Sequence, residues 1–227
     1  GEDVSQFEEL YGNIVKSFRK RFPVYHTQTE CVLAAHFHLA EDCQKAADQL
    51  AQLVKEAGTK LQTGFVGTPY LLHVLSDYGY TELAYSLLLR EEYPSWLYPV
   101  TKGATTVWEH WDGIMEDGGF WSSEMNSYNH YAYGAVADWV YCVAAGIRTQ
   151  EQYPGYEKAV IAPNPDERLG FLEAVLETRH GVIRSKWEKE KDMWRYDIET
   201  PVETNIYISG KEYTVSPGRY VYYSSCR

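Results

Sequence analysis

The sequence predicts a mainly α-helical chain that ends in a β unit. Three observations predict it. From residue 3 to about residue 90, apolar residues recur at three-to-four spacing in blocks separated by Gly, Pro and polar turns, the rhythm of stacked helical hairpins. From Gly181 the period changes to two, the mark of strands with one buried face. Between these regions lies an aromatic-rich segment, 91–127, with little period of its own. The expected division is a helical region over 1–150, a link with a short helix over 151–180, and an antiparallel β-sheet tail over 181–227.

Each element follows from its own residues. Val4, Phe7, Leu10, Tyr11, Ile14, Val15 and Phe18 make one face of a helix over 3–22, with Arg19-Lys20-Arg21 suited to its C-terminus and Pro23 after it. The polar run His26-Thr27-Gln28-Thr29 leads into Cys31 to Leu39, a short and nearly all-apolar helix, hence a buried one. His36 and His38 stand two apart and point to different faces, so they read as core or edge histidines rather than metal ligands. Asp42 caps a third helix to about Ala57, with Ala46, Leu50, Leu53 and Val54 on one face, and Gly58 ends it. Thr63-Gly64-Phe65-Val66-Gly67-Thr68-Pro69 is a tight loop without the Gly-Lys-Ser/Thr of a phosphate loop. Pro69 fits the first turn of a helix from Tyr70 to about Tyr78. Gly79 breaks it, and Thr81 caps another with Leu83, Leu87 and Leu88 inward.

Segment 91–127 interrupts this rhythm. Pro94-Ser95-Trp96 and Tyr98-Pro99 lead to the stretch Gly103 to Gly113, and Glu116-Asp117-Gly118-Gly119 turns the chain before Phe120-Trp121. A segment of this size in a compact domain is usually functional or disordered, and its Trp and Phe residues argue against disorder. A strong helix is expected next, with Tyr128, Tyr131, Ala132, Ala135, Val136, Trp139, Val140 and Val143 as its apolar stripe, Asn126 or Ser127 as cap, and Gly146 at its end. After Pro154, Pro163 and Pro165 a short helix is expected over 166–176. Beyond Gly181, alternation at Ile183/Ser185/Trp187, Trp194/Tyr196/Ile198, Ile206/Ile208, Tyr213/Val215 and Tyr220/Tyr222 defines about five strands, with turns at Ser209-Gly210-Lys211 and Ser216-Pro217-Gly218. These read as one sheet of a sandwich whose partner sheet is not evident in the sequence.

Composition narrows the function. With 32 acidic and 21 basic residues the net charge is -11, which argues against partners that are nucleic acids or anionic membrane surfaces. There is no run of about 18 apolar residues to cross a membrane. No signal peptide is seen, and Gly1-Glu2-Asp3 reads like the middle of a longer chain. The four cysteines form no Cys-x-x-Cys pair, and Cys31 and Cys142 lie in apolar runs. They read as free thiols in a reducing, cytoplasmic compartment, with any export signal upstream, rather than as a disulfide frame or zinc site. No cofactor and no metal are expected. The 20 Tyr, 7 Trp and 7 Phe suit carbohydrate and interface surfaces, because Tyr and Trp join an apolar face to a polar handle.

The chemistry concentrates in Trp108-Glu109-His110-Trp111, a carboxylate, an imidazole and two indoles in four consecutive residues. A structural loop rarely needs that set. A sugar cleft does, because indole faces stack on pyranose C–H groups while a carboxylate handles water or a hydroxyl. His130 lies off the apolar stripe in the first turn of the expected helix, where the dipole disfavours a positive charge and favours a neutral imidazole.

Thr27-Gln28-Thr29, Thr63 to Leu72, Pro94-Ser95-Trp96, Gly103 to Gly113, and Asn126 to Val136 together resemble the bacterial α-L-rhamnosidases of glycoside hydrolase family 78. The likeness runs from roughly residue 1 to residue 225; any one motif is weak, but five in order and spacing are specific. The resemblance implies part of an (α/α)6 barrel of helical hairpins followed by a β-sandwich tail. It implies hydrolysis of terminal α-L-rhamnose from glycosides with inversion, between two carboxylates spaced to admit a water. The glutamate of the family's Trp-Glu-x-Trp motif is the general base, which falls on Glu109. The histidine of its Asn-His-Tyr motif contacts sugar hydroxyls, which falls on His130. The family's general acid lies in an acidic segment upstream of the first helix, and nothing before residue 27 matches it. Glu8 and Glu9 sit on an ordinary amphipathic helix and are poor stand-ins. The chain therefore resembles the C-terminal portion of an enzyme whose missing N-terminal part is its partner, and by itself is expected to be inactive.

Several side chains keep two readings. Trp108 and Trp111 either stack on sugar or pack beneath the loop; Phe65 and Trp96 either line the cleft or fix loop shape; His110 either supports a site residue from behind or packs the loop. Asp112 is a candidate supporting carboxylate, and Glu116, Asp117 and Glu124 read as solvated. Two rival classes stand beside the rhamnosidase: another six-hairpin glycosidase or polysaccharide lyase, and an inactive carbohydrate-binding fragment. Release of rhamnose rather than uronic acid or glucose separates the first. Helix faces left bare by missing hairpins predict exposed apolar patches or a homo-oligomer.

Overall fold

A computed structural model describes residues 3–226. In chain order the helices are α1 (Ser5–Arg21), α2 (Gln28–His36), α3 (Cys43–Glu56), α4 (Thr68–Asp77), α5 (Thr81–Leu88) and α6 (Leu97–Thr101), then α7 (Val136–Trp139) between a 3-10 turn (Ala132–Ala135) and a π turn (Val140–Ala144). Eight strands accompany them: β1 (Ile147–Thr149), β2 (Ala159–Ile161), β3 (Phe171–Thr178), β4 (Gly181–Glu190), β5 (Met193–Thr200), β6 (Thr204–Ile208), β7 (Lys211–Val215) and β8 (Gly218–Ser225). The chain forms two compact units, Gly1–Val136 and Ala137–Arg227, so the division falls earlier than residue 150. Among the described residues no helix is long and apolar enough to cross a membrane.

The first unit is built from hairpins whose ends are chemically specified. Thr27 accepts from the Glu30 N–H at 3.2 Å while the Glu30 carboxylate accepts from Thr27 N–H at 2.9 Å, a capping box that starts α2. The bond from His26 N–H at 2.6 Å and then that from Thr27 hold the Glu30 carboxyl below its usual range. Asp42 caps α3 by accepting from Lys45 N–H at 2.9 Å, as expected, and Pro69 sits in the first turn of α4. Thr81 is the first residue of α5 rather than its cap. Helix α2 packs on α3 and α4, and α4 on α5, burying Cys31, Val32, Ala34 and Ala35 of α2, Ala47, Leu50 and Val54 of α3, and Leu71, Leu75, Ala84 and Leu87 of α4 and α5. Burial pushes the Cys31 thiol up to about 12, so it stays protonated and inert.

Helix α1 follows its expected period yet buries none of its residues. Val4, Phe7, Leu10 and Ile14 are 51%, 62%, 56% and 49% exposed. Its attachment is polar: Arg19 donates to the Leu39 and Ala40 carbonyls at 3.0 and 2.9 Å, and Tyr11 donates to the Phe37 carbonyl at 3.1 Å.

Two expectations fail around residues 126–176. The helix expected from Asn126 or Ser127 starts only at Ala132: residues 126–131 are irregular, and consecutive 3-10, α and π turns run from Ala132 to Ala144. The reason is competition for backbone groups. Ser127 C=O accepts from Glu109 N–H at 2.9 Å and His130 N–H donates to Val107 C=O at 2.8 Å, so these groups are not free for a helical ladder. The expected stripe consequently fails at its start, where Tyr131 is 88% exposed and Tyr133 is buried instead, while Ala132, Trp139 and Val143 are buried as expected. Likewise 166–176 is not helical. Leu172 and Ala174 point inward from β3, which pairs along its whole length with β4, and that pairing overrides the helix propensity of Leu, Glu and Ala.

The second unit holds two four-stranded sheets, β1-β2-β6-β7 and β3-β4-β5-β8. The expected strands beyond Gly181 all form, in the expected alternation. The expectation of a single sheet without a partner is corrected: the strands beyond Gly181 divide between the two sheets, and the segment read as a link, 151–180, adds β2 to one and β3 to the other. The β2–β6 pair is parallel, and every other pair is antiparallel. Each sheet has one buried face: Ile147, Ala159, Ile161, Ile206 and Ile208 on one, Ile183, Trp187, Trp194, Tyr196 and Ile198 on the other. Ser185 and Trp187 donate to the Ala145 and Ala144 carbonyls at 2.6 and 2.8 Å, satisfying the end of the π turn.

Candidate active site

The site belongs to the first unit and starts from the stretch after α6. Ala104 N–H donates to Pro99 C=O at 3.0 Å, and the Thr106 hydroxyl bonds the Tyr128 carbonyl. With the two backbone bonds already described, residues 106–109 run beside 127–130. This pairing carries Glu109 and His130 on adjacent, mutually tied segments. Tyr128 donates to Gly113 C=O at 2.9 Å and Tyr98 donates to Ile114 C=O at 3.0 Å, which pins the far side of the loop.

Glu109 is half-buried. His130 is half-buried too, and its Nδ1 accepts from Ala132 N–H at 3.3 Å. With Nδ1 accepting, Nε2 is the ring nitrogen left to donate an N–H. Its ring lies parallel to Phe65 (4.9 Å between centroids, 17°) and to Tyr131 (5.3 Å, 14°). Phe65 is 43% exposed and so keeps open surface for a ligand.

The remaining expected residues separate into two groups. Trp96, Trp111, Phe65 and His130 are joined through one side chain absent from the expected set, Tyr133. Its ring stacks on Trp111 at 3.8 Å and 14° and tilts against Phe65 at 5.1 Å. Its carbonyl accepts from Trp96 Nε1–H at 2.9 Å, and Trp96 meets Trp111 edge-on at 5.4 Å. Trp108 stands apart from this cluster. It is buried, meets Tyr128 edge-on at 5.2 Å, and closes on Gly113, where an added Cβ would lie 3.1 Å from both rings. Of the two readings for Trp108, packing beneath the loop is the one its burial supports; Trp111 is nearly as buried. His110 stacks on Trp121 at 3.5 Å and 14°, which favours the loop-packing one of its two readings.

Tyr133 could be found in the sequence only as a member of the Asn126–Val136 motif, since the assumed helix phase turned Tyr131 inward in its place. Burial, then Tyr93 and the Glu109 charge, push its phenol up, so it remains a neutral hydroxyl beside the carboxylate. Tyr98 is likewise held up by burial and then by Glu116, Asp112 and Asp117. The loop is thus an acidic surround with protonated phenols, suited to polar neutral ligands. Among the described residues no group of three or more His, Cys, Asp or Glu could hold a metal ion.

Comparison with known proteins places these features. Residues 1–144 match the bacterial alpha-L-rhamnosidase 6 hairpin glycosidase domain, and residues 146–217 match the bacterial alpha-L-rhamnosidase C-terminal domain. An alpha-L-rhamnosidase of Streptomyces avermitilis is 38% identical over 216 residues, covering 92% of this chain and 21% of its own. The crystal structure of the Streptomyces avermitilis alpha-L-rhamnosidase complexed with L-rhamnose superposes with a TM-score of 0.91 at 32% identity, over 99% of this chain and 25% of that one. Native alpha-L-rhamnosidase from Aspergillus terreus gives 0.91 at 30% identity, over 98% and 27%. The chain thus spans about a fifth to a quarter of the length of the relatives it matches.

Proposed function

Because this chain belongs to the bacterial α-L-rhamnosidase family, we propose that the protein it forms part of hydrolyses terminal α-L-rhamnosyl residues from glycosides with inversion. The observation that supports this reading is the backbone tie between 107–109 and 127–130, which holds the segments that carry Glu109 and His130 side by side. Glu109 takes a proton from a water whose oxygen forms the new bond to the anomeric carbon. The bond from that carbon to the aglycone oxygen breaks, and an acid elsewhere in the full polypeptide protonates the departing oxygen. His130 donates to a sugar hydroxyl, and Phe65 and Trp96 line the pocket. Trp108 and Trp111 support it from beneath. The helices of the first unit are read as part of an (α/α)6 barrel and the paired sheets as a β-sandwich.

Hydrolysis of p-nitrophenyl α-L-rhamnoside by this chain, beside the full-length polypeptide, tests the reading. The full-length protein is expected to turn over and to release β-L-rhamnose first, as followed by proton NMR; this chain alone is expected to be inactive. Release of the α-anomer would overturn inversion, activity of this chain alone would place the acid within it, and inactivity of both would overturn the substrate class.

The isolated chain is also expected to self-associate through the exposed apolar residues of α1. Light scattering should give a mass above that of one chain. A monodisperse monomer that leaves a hydrophobic dye dark counts against it.

A further inference from the structure

Four separate stretches of the first unit meet at Tyr133: the tight loop of Phe65, the turn of Trp96, the Glu109–Trp111 stretch and the His130 segment. The two rings of the closest contact, Tyr133 and Trp111, are 7% and 9% exposed, so the stack is a dry junction. Trp111 lies two residues from Glu109, and the tie described for Glu109 itself is one backbone bond to Ser127. On the other side of the same junction, the methyl of Val107 lies 3.6 Å from where a Cβ on Gly134 would be. Tyr133 therefore touches the carboxylate's own loop through Trp111, while its neighbour Gly134 admits the segment just before the carboxylate. It sits within the 3-10 turn Ala132–Ala135, a regular element rather than a loop.

We propose that Tyr133 is a positioning residue, whose ring holds the Glu109 loop in register with the Phe65–His130 side of the pocket. The inference rests on the rhamnosidase reading and adds a residue to it. The ring and not the hydroxyl carries the role: the stack on Trp111, the contact with Phe65 and the carbonyl bond from Trp96 all survive loss of the phenol oxygen. A base displaced by about 1 Å from its water loses on the order of 100-fold in rate, because the reacting atoms leave the near-attack geometry.

The test uses the full-length enzyme on p-nitrophenyl α-L-rhamnoside, with kcat and KM separated and folding followed by circular dichroism. Tyr133→Leu is expected to lower kcat by about 100-fold with KM changed less than about threefold, and Tyr133→Phe is expected to restore kcat to within about threefold of the parent. A folded Tyr133→Leu enzyme with parental kcat overturns the proposal, and so does an effect confined to KM, which would make Tyr133 a sugar contact. Should Tyr133→Leu fail to fold, Trp111→Phe weakens the same stack while keeping a ring; it is expected to lower kcat by about tenfold at constant KM, and a parental kcat overturns the proposal. Glu109→Gln run in parallel separates the two levels. If that variant keeps its turnover, the rhamnosidase site reading fails. If it is inactive while Tyr133→Leu behaves as the parent, only the positioning role fails.

Discussion

Glu109→Gln in the full-length polypeptide is expected to lower kcat by about 1,000-fold or more, with KM changed only a few-fold. An amide has the size of a carboxylate but cannot take a proton from the attacking water, and removing a general base typically costs about 100- to 10,000-fold. The bond that fixes the loop here is donated by the backbone N–H of Glu109 to Ser127, so it survives the substitution. Binding through His130, Phe65 and Trp96 should therefore persist. Steady-state kinetics on p-nitrophenyl α-L-rhamnoside reads both parameters. Near-parental kcat would remove Glu109 from the chemistry, and a large rise in KM alone would make it a binding group.

The largest expected effect on stability lies in the second unit, at Gly146. Its φ is +76°, and an added Cβ would stand 2.1 Å from the Ala162 carbonyl carbon and 2.3 Å from its oxygen. Those are backbone atoms that cannot swing aside. They belong to the pair in which Ala162 N–H donates to Gly146 C=O at 2.9 Å, immediately beside the Ile147↔Ile161 register of β1 and β2. Gly146→Ala should cost about 1–2 kcal/mol for the left-handed backbone and more for the collision. A total of about 3 kcal/mol or more is expected, lowering Tm by roughly 6 °C or more in a chain of this size. Gly58→Ala is the control, since Gly58 also has positive φ (+74°) but meets nothing within 4 Å; it should cost only about 1 kcal/mol. Equal melting temperatures for the two variants would show that the close approach at Gly146 does not bear on stability.

Where the reading from residues succeeded, the interactions are local. Asp42 caps α3 and Pro69 lies in the first turn of α4, each within a few residues of the start it specifies. The strands from Ile183 onward were legible because alternation is imposed by the pleat itself. The motif that carries Glu109 and His130 was equally plain, since it is a contiguous set of residue types.

Where it failed, distant partners intervened. Residues 171–178 had helix-forming side chains but took the strand that β4 offered them. Residues 127–130 lost their helix to segment 106–109, and with it the phase that would have turned Tyr131 inward. The bond from Trp96 to the Tyr133 carbonyl spans 37 residues, and no periodicity announces a contact of that range. Residue types and their spacing thus set the family motifs, the cap of α3 and the strands beyond Gly181, because each acts over a short run of chain. The junction at Tyr133 and the second sheet came from long-range competition for backbone hydrogen bonds, which depends on what the rest of the chain brings near.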